Sequence, residues 1–330
     1  MVALDTGSDL FWLPCQCDGC TPPASAASGS ASFYIPSMSS TSQAVPCNSQ
    51  FCELRKECST TSQCPYKMVY VSADTSSSGF LVEDVLYLST EDAIPQILKA
   101  QILFGCGQVQ TGSFLDAAAP NGLFGLGIDM ISIPSILAQK GLTSNSFAMC
   151  FSRDGTSFTY LADPAYTYIT QSFHAQVHAN RHAADSRIPF EYCYDLSSSE
   201  DRIQTPSISL RTVGGSVFPV IDEGQVISIQ QHEYVYCLAI VKSAKLNIIG
   251  QNFMTGLRVV FDRERKILGW KKFNCFSPSA PENYSPEETK GGNPASVTQL
   301  RPLSNSNPVM WYDSLVFRFL LVNLAALILF

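Results

Sequence analysis

Charge is scarce in this sequence, with Asp, Glu, Lys and Arg making up 15% of the residues where about a quarter is usual. The charge present runs acidic, 28 Asp+Glu against 21 Lys+Arg for a net of −7, which argues against a nucleic-acid binder, since that would need a basic stripe. Long helical periodicities are missing too. With 20 Gly and 19 Pro, the composition excludes coiled coils and helical bundles and favours a β-rich, loop-rich chain. No repeat stands out at the ~20–50-residue periods of solenoids. There is no Gly-x-Ser-x-Gly elbow or phosphate-binding loop, and Gly105-Cys106-Gly107 lacks the third Gly of a dinucleotide loop. What is abundant is cysteine. Twelve in 330 residues fit an oxidising compartment, and the length suits one large or two medium domains with a real core.

The ends differ in character. Met1 is followed at once by Val2-Ala3-Leu4-Asp5 without the basic and apolar regions of an export signal, which in a cysteine-rich chain suggests a missing beginning. Residues 276–310 hold Pro278, Pro281, Pro286, Pro294, Pro302 and Pro308 and read as an extended linker. Residues 311–330 end in an apolar run from Leu315 to Phe330, broken only by Arg318 and Asn323. It is short for a spanning helix of about 20 residues. Small residues Ser304-Asn305-Ser306, a spacer and an apolar terminus match a GPI-attachment signal, with a transmembrane anchor as the alternative. Asn283-Tyr284-Ser285 is a glycosylation sequon, weakened by Pro286.

Between the ends, Lys67–Val71, Phe80–Leu88, Ala100–Phe104, Val235–Val241, Leu246–Ile249 and Leu257–Phe261 are rich in β-branched and aromatic residues and predict strands. Pro134–Gly141 predicts a helix from its Pro start and Gly stop, and Pro164–His178 another from apolar spacing at Tyr168, Phe173 and Val177. Gly122-Leu123-Phe124-Gly125 is echoed by Asn247-Ile248-Ile249-Gly250, an apolar pair ending in Gly that hints at two related lobes.

The most informative stretch is Val2-Ala3-Leu4-Asp5-Thr6-Gly7-Ser8-Asp9-Leu10-Phe11-Trp12-Leu13. An apolar strand delivers an acid, a small hydroxyl and a Gly that permits a sharp reversal, and a second apolar strand leaves. Alone, Asp-Thr-Gly is ordinary turn chemistry; between two apolar strands it is more than a hairpin tip. This stretch resembles the first catalytic loop of the pepsin-like aspartic proteases, and closer still their nepenthesin-like plant branch. The resemblance covers residues 1–275. Trp12 matches the tryptophan behind the flap, and Tyr70, ahead of Ser72-Ala73-Asp74-Thr75-Ser76-Ser77-Ser78-Gly79, the flap tyrosine. Phe104-Gly105-Cys106-Gly107, Asn121–Gly127, Ile248-Ile249-Gly250-Gln251-Asn252-Phe253, Val259-Val260-Phe261-Asp262 and Leu268-Gly269-Trp270 match further family signatures.

The resemblance implies an all-β, bilobal fold: residues 1–150 as the N-terminal lobe with the first catalytic Asp, a cysteine-rich insert and the flap, and 151–275 as a shortened C-terminal lobe. It implies an endopeptidase in which two carboxylates share a proton, one activating water and the other polarising the scissile carbonyl. No cofactor or metal is needed. Asp5 is the first acid; Gly7, Ser8, Tyr70 and Trp12 line the substrate side. The partner is an extended peptide held by a monomer, exported and lipid-anchored at the outer face of the plasma membrane.

The second lobe should carry its own Asp-Thr/Ser-Gly-Thr/Ser. The chain offers Arg153-Asp154-Gly155-Thr156-Ser157. Aligned on the acid, Asp154 is catalytic with Gly155 and Thr156 beside it; aligned on the glycine, Arg153 takes the acid's place. Several tens of residues that the family carries between Cys150 and this motif are also missing, as after an exon skip. The alternative is therefore a catalytically impaired homologue that binds peptide or is misassembled.

Two other constellations compete. His174, His178 and His182 lie four apart and would share a face of a continued helix, but Ala175 stands where a His-Glu-x-x-His zinc site needs Glu; a solvated helix face is the plainer account. Cys15-Gln16-Cys17-Asp18-Gly19-Cys20 looks like a metal knuckle, yet with cysteines at 47, 52, 58 and 64 a disulfide-stapled insert is preferred, as the resemblance also implies. Cys193 with Cys237 is the expected pair of the C-terminal lobe; Cys106, Cys150 and Cys275 stay unassigned.

Overall fold

The computed structural model describes residues 2–15, 33–58, 62–70, 74–90, 94–116, 118–151, 158–199, 201–212, 215–230 and 233–275, and the backbone of Thr298–Gln299 and Ala325–Leu327. Two compact units emerge, one of residues 1–145 with 323–330, the other of residues 146–322. Both are mainly strands with few short helices, the all-β, two-lobed architecture expected from the sequence.

In the first unit the strands are β1 (Val2–Asp5), β2 (Trp12–Pro14), β3 (Gln43–Ala44), β4 (Pro65–Val69), β5 (Ser76–Ser89), β6 (Ile97–Thr111) and β7 (Leu123–Gly125), followed by helix α1 (Ile133–Gln139). They form one sheet in the order β1-β7-β2-β6-β5-β3, with β4 on β5 and Ala325–Leu327 on the outer edge of β1. The long β5–β6 hairpin is the frame, in register from Ser76↔Thr111 to Ser89↔Ile97 around one irregularity at Ser78/Gly79. The short β1, β7 and β2 thread beside it: β1 runs parallel to β7, and β2 runs parallel to β6. One face buries Trp12, Leu81, Leu103, Tyr66 and Leu123, the other Val2, Phe11, Val82, Ile102 and Phe104. That alternation is the period-two signature of a sheet covered on both sides.

Disulfides staple this unit. Cys47 joins Cys58 and Cys52 joins Cys64. Cys15 corrects the expected insert: it bonds Cys106 instead, because β2 and β6 are parallel neighbours with Leu13 facing Cys106. Cys17, Cys20 and the residues around them lie outside the described residues.

A buried carboxylate ties the segment after the insert to the frame. Asp84 on β5 accepts hydrogen bonds from Tyr34 Oη (2.6 Å), Thr41 Oγ1 (2.5 Å) and its neighbour's N–H at Val85 (2.7 Å). Burial alone would raise its pKa, but the bonds from Thr41 and Tyr34 outweigh it and hold the carboxyl below its ordinary value. Tyr34 is pushed up to about 12, by burial first and by its bond to Asp84 second. A depressed carboxylate pKa contributes stability that is complete above the unfolded pKa, ~3.9, and is lost as pH falls through the folded value. Asp84→Asn is therefore expected to cost about 1.5–3 kcal/mol at neutral pH and to flatten the loss of stability below about pH 4. Urea midpoints of both proteins across the acid range would check this; parallel curves would refute it.

The second unit begins at Ser146, not at 151, because β8 (Ser146–Cys150) pairs antiparallel with β16 (Leu257–Asp262) inside that unit. Between them come β9 (Thr159–Leu161), α2 (Ala165–His174), β10 (Cys193–Leu196), β11 (Ser209–Arg211), β12 (Val217–Pro219), β13 (Gly224–Gln230), β14 (Glu233–Leu238), β15 (Ile240–Lys242) and α3 (Gln251–Met254); β17 (Ile267–Lys272) follows. They pair as β10-β14-β13, β11-β12, β15-β9 and β17-β16-β8. Cys193 is joined to Cys237 across the β10–β14 register, and Cys150 to Cys275.

Three local expectations are corrected here. Leu246–Ile249 is not a strand but a single bridge, Tyr160↔Ile248, after which Gly250 opens α3. Val235–Val241 breaks at Ala239 into β14 and β15. Helix α2 stops at His174, and Tyr168 is 77% exposed. Phe173 and Val177 are buried as expected, and within the helix the buried stripe is Tyr166, Thr170 and Phe173, the i, i+4, i+7 positions of a helix face.

Candidate active site

β1 ends on Asp5, which is 1% exposed. The strand needs no residue of strong preference beyond Val2 and Leu4, because β7 lies parallel beside it: Ala3 faces Leu123, Leu4 faces Phe124 and Asp5 faces Gly125. The chain then reverses at Thr6-Gly7 and returns as β2. Two bonds hold the carboxylate: Gly7 N–H donates to Oδ1 at 2.8 Å and Ser8 Oγ donates to Oδ2 at 2.5 Å. Both are charge-assisted, so the loop is built around an ionised Asp5. The backbone is pinned as well. Leu126 N–H donates to Asp5 O at 2.7 Å and Gly127 N–H to Ser8 O at 2.9 Å.

Gly125 is required by this close approach, since a Cβ there would collide with the Asp9 carbonyl. Asp9, absent from the expected site, accepts from Asp129 N–H at 2.7 Å and so locks the loop after β7 to the Asp5 loop.

Trp12, fully buried, donates its indole N–H to Tyr70 Oη at 2.9 Å. Tyr70 follows β4 and returns a backbone bond to Thr75 O at 2.8 Å; residues 71–73 between them lie outside the described residues. Burial pushes the Tyr70 phenol well up, and the negative charge of Asp5 adds to it, while bonds with Trp12 and Ser8 work the other way. Tyr70 is thus a neutral phenol at acidic and neutral pH. The structure brings Asp5, Gly7, Ser8, Trp12 and Tyr70 together in one unit. Phe114 was missed by sequence reasoning: its ring stands edge-on to Trp12 and to Tyr70, with centroids 5.0 and 5.1 Å away. Its only signal was Gly112-Ser113 ahead of it, which makes a tight turn.

The second unit repeats part of this plan. In the first, Trp12 pairs parallel with Gly105 of β6 and antiparallel with Leu123 of β7. In the second, Tyr160 pairs parallel with Val241 of β15 and antiparallel with Ile248. Trp12 and Tyr160 are therefore counterparts, as are Leu123 and Ile248, and the Gly125/Gly250 echo follows. Thr159 Oγ1 accepts from Gly250 N–H at 3.0 Å and donates to Asn252 Oδ1 at 2.9 Å. One part does not repeat: β1 lies on β7, but the strand entering the second loop, β8, lies on β16. Asp154, Gly155 and Thr156 lie outside the described residues, as does Asn283.

The histidines are dispersed. α2 ends at His174, so His178 and His182 do not continue its face. His174 Nδ1 bonds Tyr194 Oη at 3.0 Å and His182 Nδ1 bonds Asp195 Oδ1 at 2.7 Å. Among the described residues no group of three His, Cys, Asp or Glu is set to hold a metal ion, and no helix is long and apolar enough to cross a membrane.

Two family descriptions match along the chain, "Xylanase inhibitor N-terminal" over residues 1–162 and "Xylanase inhibitor C-terminal" over 133–272. The protein is 43% identical to Aspartyl protease family protein 1 of Arabidopsis thaliana, over 93% of this chain and 70% of that protein. The chain belongs to the plant branch of the pepsin-like aspartic protease family. Within that branch it is 24% identical to aspartic proteinase nepenthesin-2 of Nepenthes gracilis, over 82% of this chain and 74% of that protein. Among solved structures, basic 7S globulin from soybean shares the fold, with a TM-score of 0.60 at 19% identity over 84% of this chain and 88% of that one. Asp5, Gly7, Ser8, Trp12 and Tyr70 all stand in the first unit.

Proposed function

We propose that this protein is an aspartic-type endopeptidase that hydrolyses peptide bonds through an activated water and two carboxylates. The observation that carries the reading is Asp5, buried at 1% exposure with each oxygen held by a loop donor. Such a carboxylate can take a proton from water when a second carboxyl shares the charge. Asp154, with Gly155 and Thr156, is the second acid of this proposal. Tyr70 closes over an extended peptide, excluding bulk water. No cofactor or metal enters. The proposal extends to a monomer, exported and glycosylated at Asn283, held by a C-terminal lipid anchor at the outer face of the plasma membrane.

A second reading, a peptide-binding homologue without catalysis, is favoured by one observation. Asp5 stands seven residues before Trp12, and the residue seven before its counterpart Tyr160 is Arg153. By that count Asp154 falls at the place of Thr6, and Gly155 and Thr156 at those of Gly7 and Ser8. The alignment with the Arabidopsis relative is 366 positions long, more than the 330 residues of this chain, so it holds gaps on this chain's side.

Hydrolysis of an oligopeptide at acidic pH, with and without an aspartic-protease inhibitor, separates the readings. Activity abolished by Asp154→Asn supports the endopeptidase as it stands. An inactive protein that gains activity from Arg153→Asp, or from a Ser inserted between Asp154 and Gly155, supports the second reading. Inactivity of all of these refutes the endopeptidase.

A further inference from the structure

We propose that the open face of the β8–β16–β17 sheet is a docking surface for a lipid bilayer, held through the phosphates of its headgroups. The sheet is covered on one side only. Met149, Leu257, Val259 and Leu268 are buried, while their alternates Ala148, Arg258, Val260 and Lys271 are exposed, as the period of two requires. The register sets the open face in rows, with Cys150, Arg258 and Lys271 in one and Ala148, Val260 and Gly269 in the next. The second row is low and apolar. A Cβ added at Gly269 would meet only Val260, at 3.8 Å, so among the described residues nothing stands over it.

The charge on this hairpin is opposite to that of the chain. Residues 256–275 hold six Lys or Arg against two Asp or Glu, a net of +4, which leaves −11 for the rest of a chain at −7. Elsewhere in the unit the cations find acids: Arg181, Arg187 and Lys242 pair with Glu191, Asp185 and Asp163. Arg258, Lys266 and Lys272 make no ion pair among the described residues. Arg258 and Lys271 stand directly opposite each other across the strands. Like charges so placed cost stability, and an anion that meets both removes the cost. Both also reach over one aromatic ring, with the Phe273 centroid 5.9 Å from the Arg258 guanidinium carbon and 5.5 Å from Lys271 Nζ.

Cations beside an aromatic ring, at the rim of a flat apolar row, are the composition of a membrane–water interface. An acidic polysaccharide fits less well, because its hydroxyls would need partners and the side chains of Ala148, Val260 and Gly269 offer none. The chain's own path agrees. Cys275, from which the sequence continues toward the apolar run Leu315–Phe330, is bridged to Cys150 in the cation row. The inference goes beyond the peptidase reading and does not rest on a lipid anchor: the cations respond to lipid charge and to salt, whereas an apolar anchor responds to neither.

The test is co-sedimentation of the full protein with phosphatidylcholine vesicles, with and without phosphatidic acid, at low and high salt. Partitioning should be stronger onto the anionic vesicles and should fade as salt rises. Arg258→Gln/Lys271→Gln/Lys272→Gln should weaken it by about 10²-fold, at about five-fold for each cation, with an unchanged near-ultraviolet circular dichroism spectrum. Val260→Asp, which leaves every cation in place, should weaken it as well and guards against a misfolded triple variant. Equal partitioning onto both vesicles, or no loss in either variant, would overturn the proposal, while binding to neutral vesicles reports on the tail alone. Release by inorganic phosphate beyond that by chloride of equal ionic strength would reduce the face to a single phosphate site and overturn it. Tighter binding to polygalacturonate than to the anionic vesicles, lost in the triple variant, would assign the face to an acidic polysaccharide instead.

Discussion

Asp5→Asn is expected to lower peptide hydrolysis by about 10²–10⁴-fold, the range for removing a general acid–base group, while the protein stays folded. The side chain is 1% exposed and isosteric with asparagine, so no cavity opens. The asparagine Oδ1 can still accept from Gly7, but its amide nitrogen cannot accept from Ser8, whose hydroxyl donates to Oδ2 in the native loop. One charge-assisted bond is therefore lost, worth about 1.5–3 kcal/mol, partly offset because the charge no longer has to be buried. The measurement pairs hydrolysis rates at acidic pH with near-ultraviolet circular dichroism. If Arg153 occupies the second acid's place, the comparison is made in the Ser-insertion background, where the second carboxylate is restored. Undiminished hydrolysis by the Asp5→Asn variant in either background would remove Asp5 from the mechanism.

Trp12→Ala is expected to destabilise the first unit by about 3–5 kcal/mol, the usual loss for a buried aromatic. The indole has no exposed surface, packs edge-on against Phe114 and lies in the core with Leu10, Leu81 and Leu123. It also supplies the N–H that positions Tyr70. Trp12→Phe separates the two roles. Most of the packing is kept, but the donor is gone and Tyr70 Oη loses the bond from Trp12 and keeps that with Ser8, so the stability loss falls to about 1–2 kcal/mol while Tyr70 is loosened. Denaturant midpoints of the two variants, read beside amide exchange at Tyr70, check the division. Equal midpoints for Ala and Phe would mean that packing contributes nothing at this position.

The Asp5 half-site was legible in the sequence because its determinants are contiguous: apolar strand, acid, hydroxyl, Gly and apolar strand all fall within Val2–Leu13. Tyr70 was found through resemblance, and the structure gives the physical reason for its place in the bond from Trp12. Phe114, Asp9 and Asp84 were not legible. Each acts through partners far along the chain, such as Asp129 for Asp9 and Tyr34 for Asp84, and no local spacing announces such a contact. The misplaced Tyr168 of α2 has another cause. Phe173 and Val177 are buried as expected, but Tyr166 and Thr170 bury their polar ends by bonding Glu191 Oε2 and the Tyr166 carbonyl, so hydrophobicity alone did not distinguish Tyr166 from Tyr168. The echo of Leu123-Phe124-Gly125 in Ile248-Ile249-Gly250 was visible, but only strand pairing turned it into a register, and with it the count that reaches Arg153.

Cys150 and Cys275 sit near the two ends of the second unit's described chain and are covalently joined. Topologically, everything from β8 to β17 is a closed ring. A protease that cuts once anywhere inside it releases no fragment: the mass rises by a single water, and the band on a non-reducing gel hardly moves until a reductant separates the pieces. Limited digestion of this protein read without reduction would therefore report an intact second unit even after it had been cut.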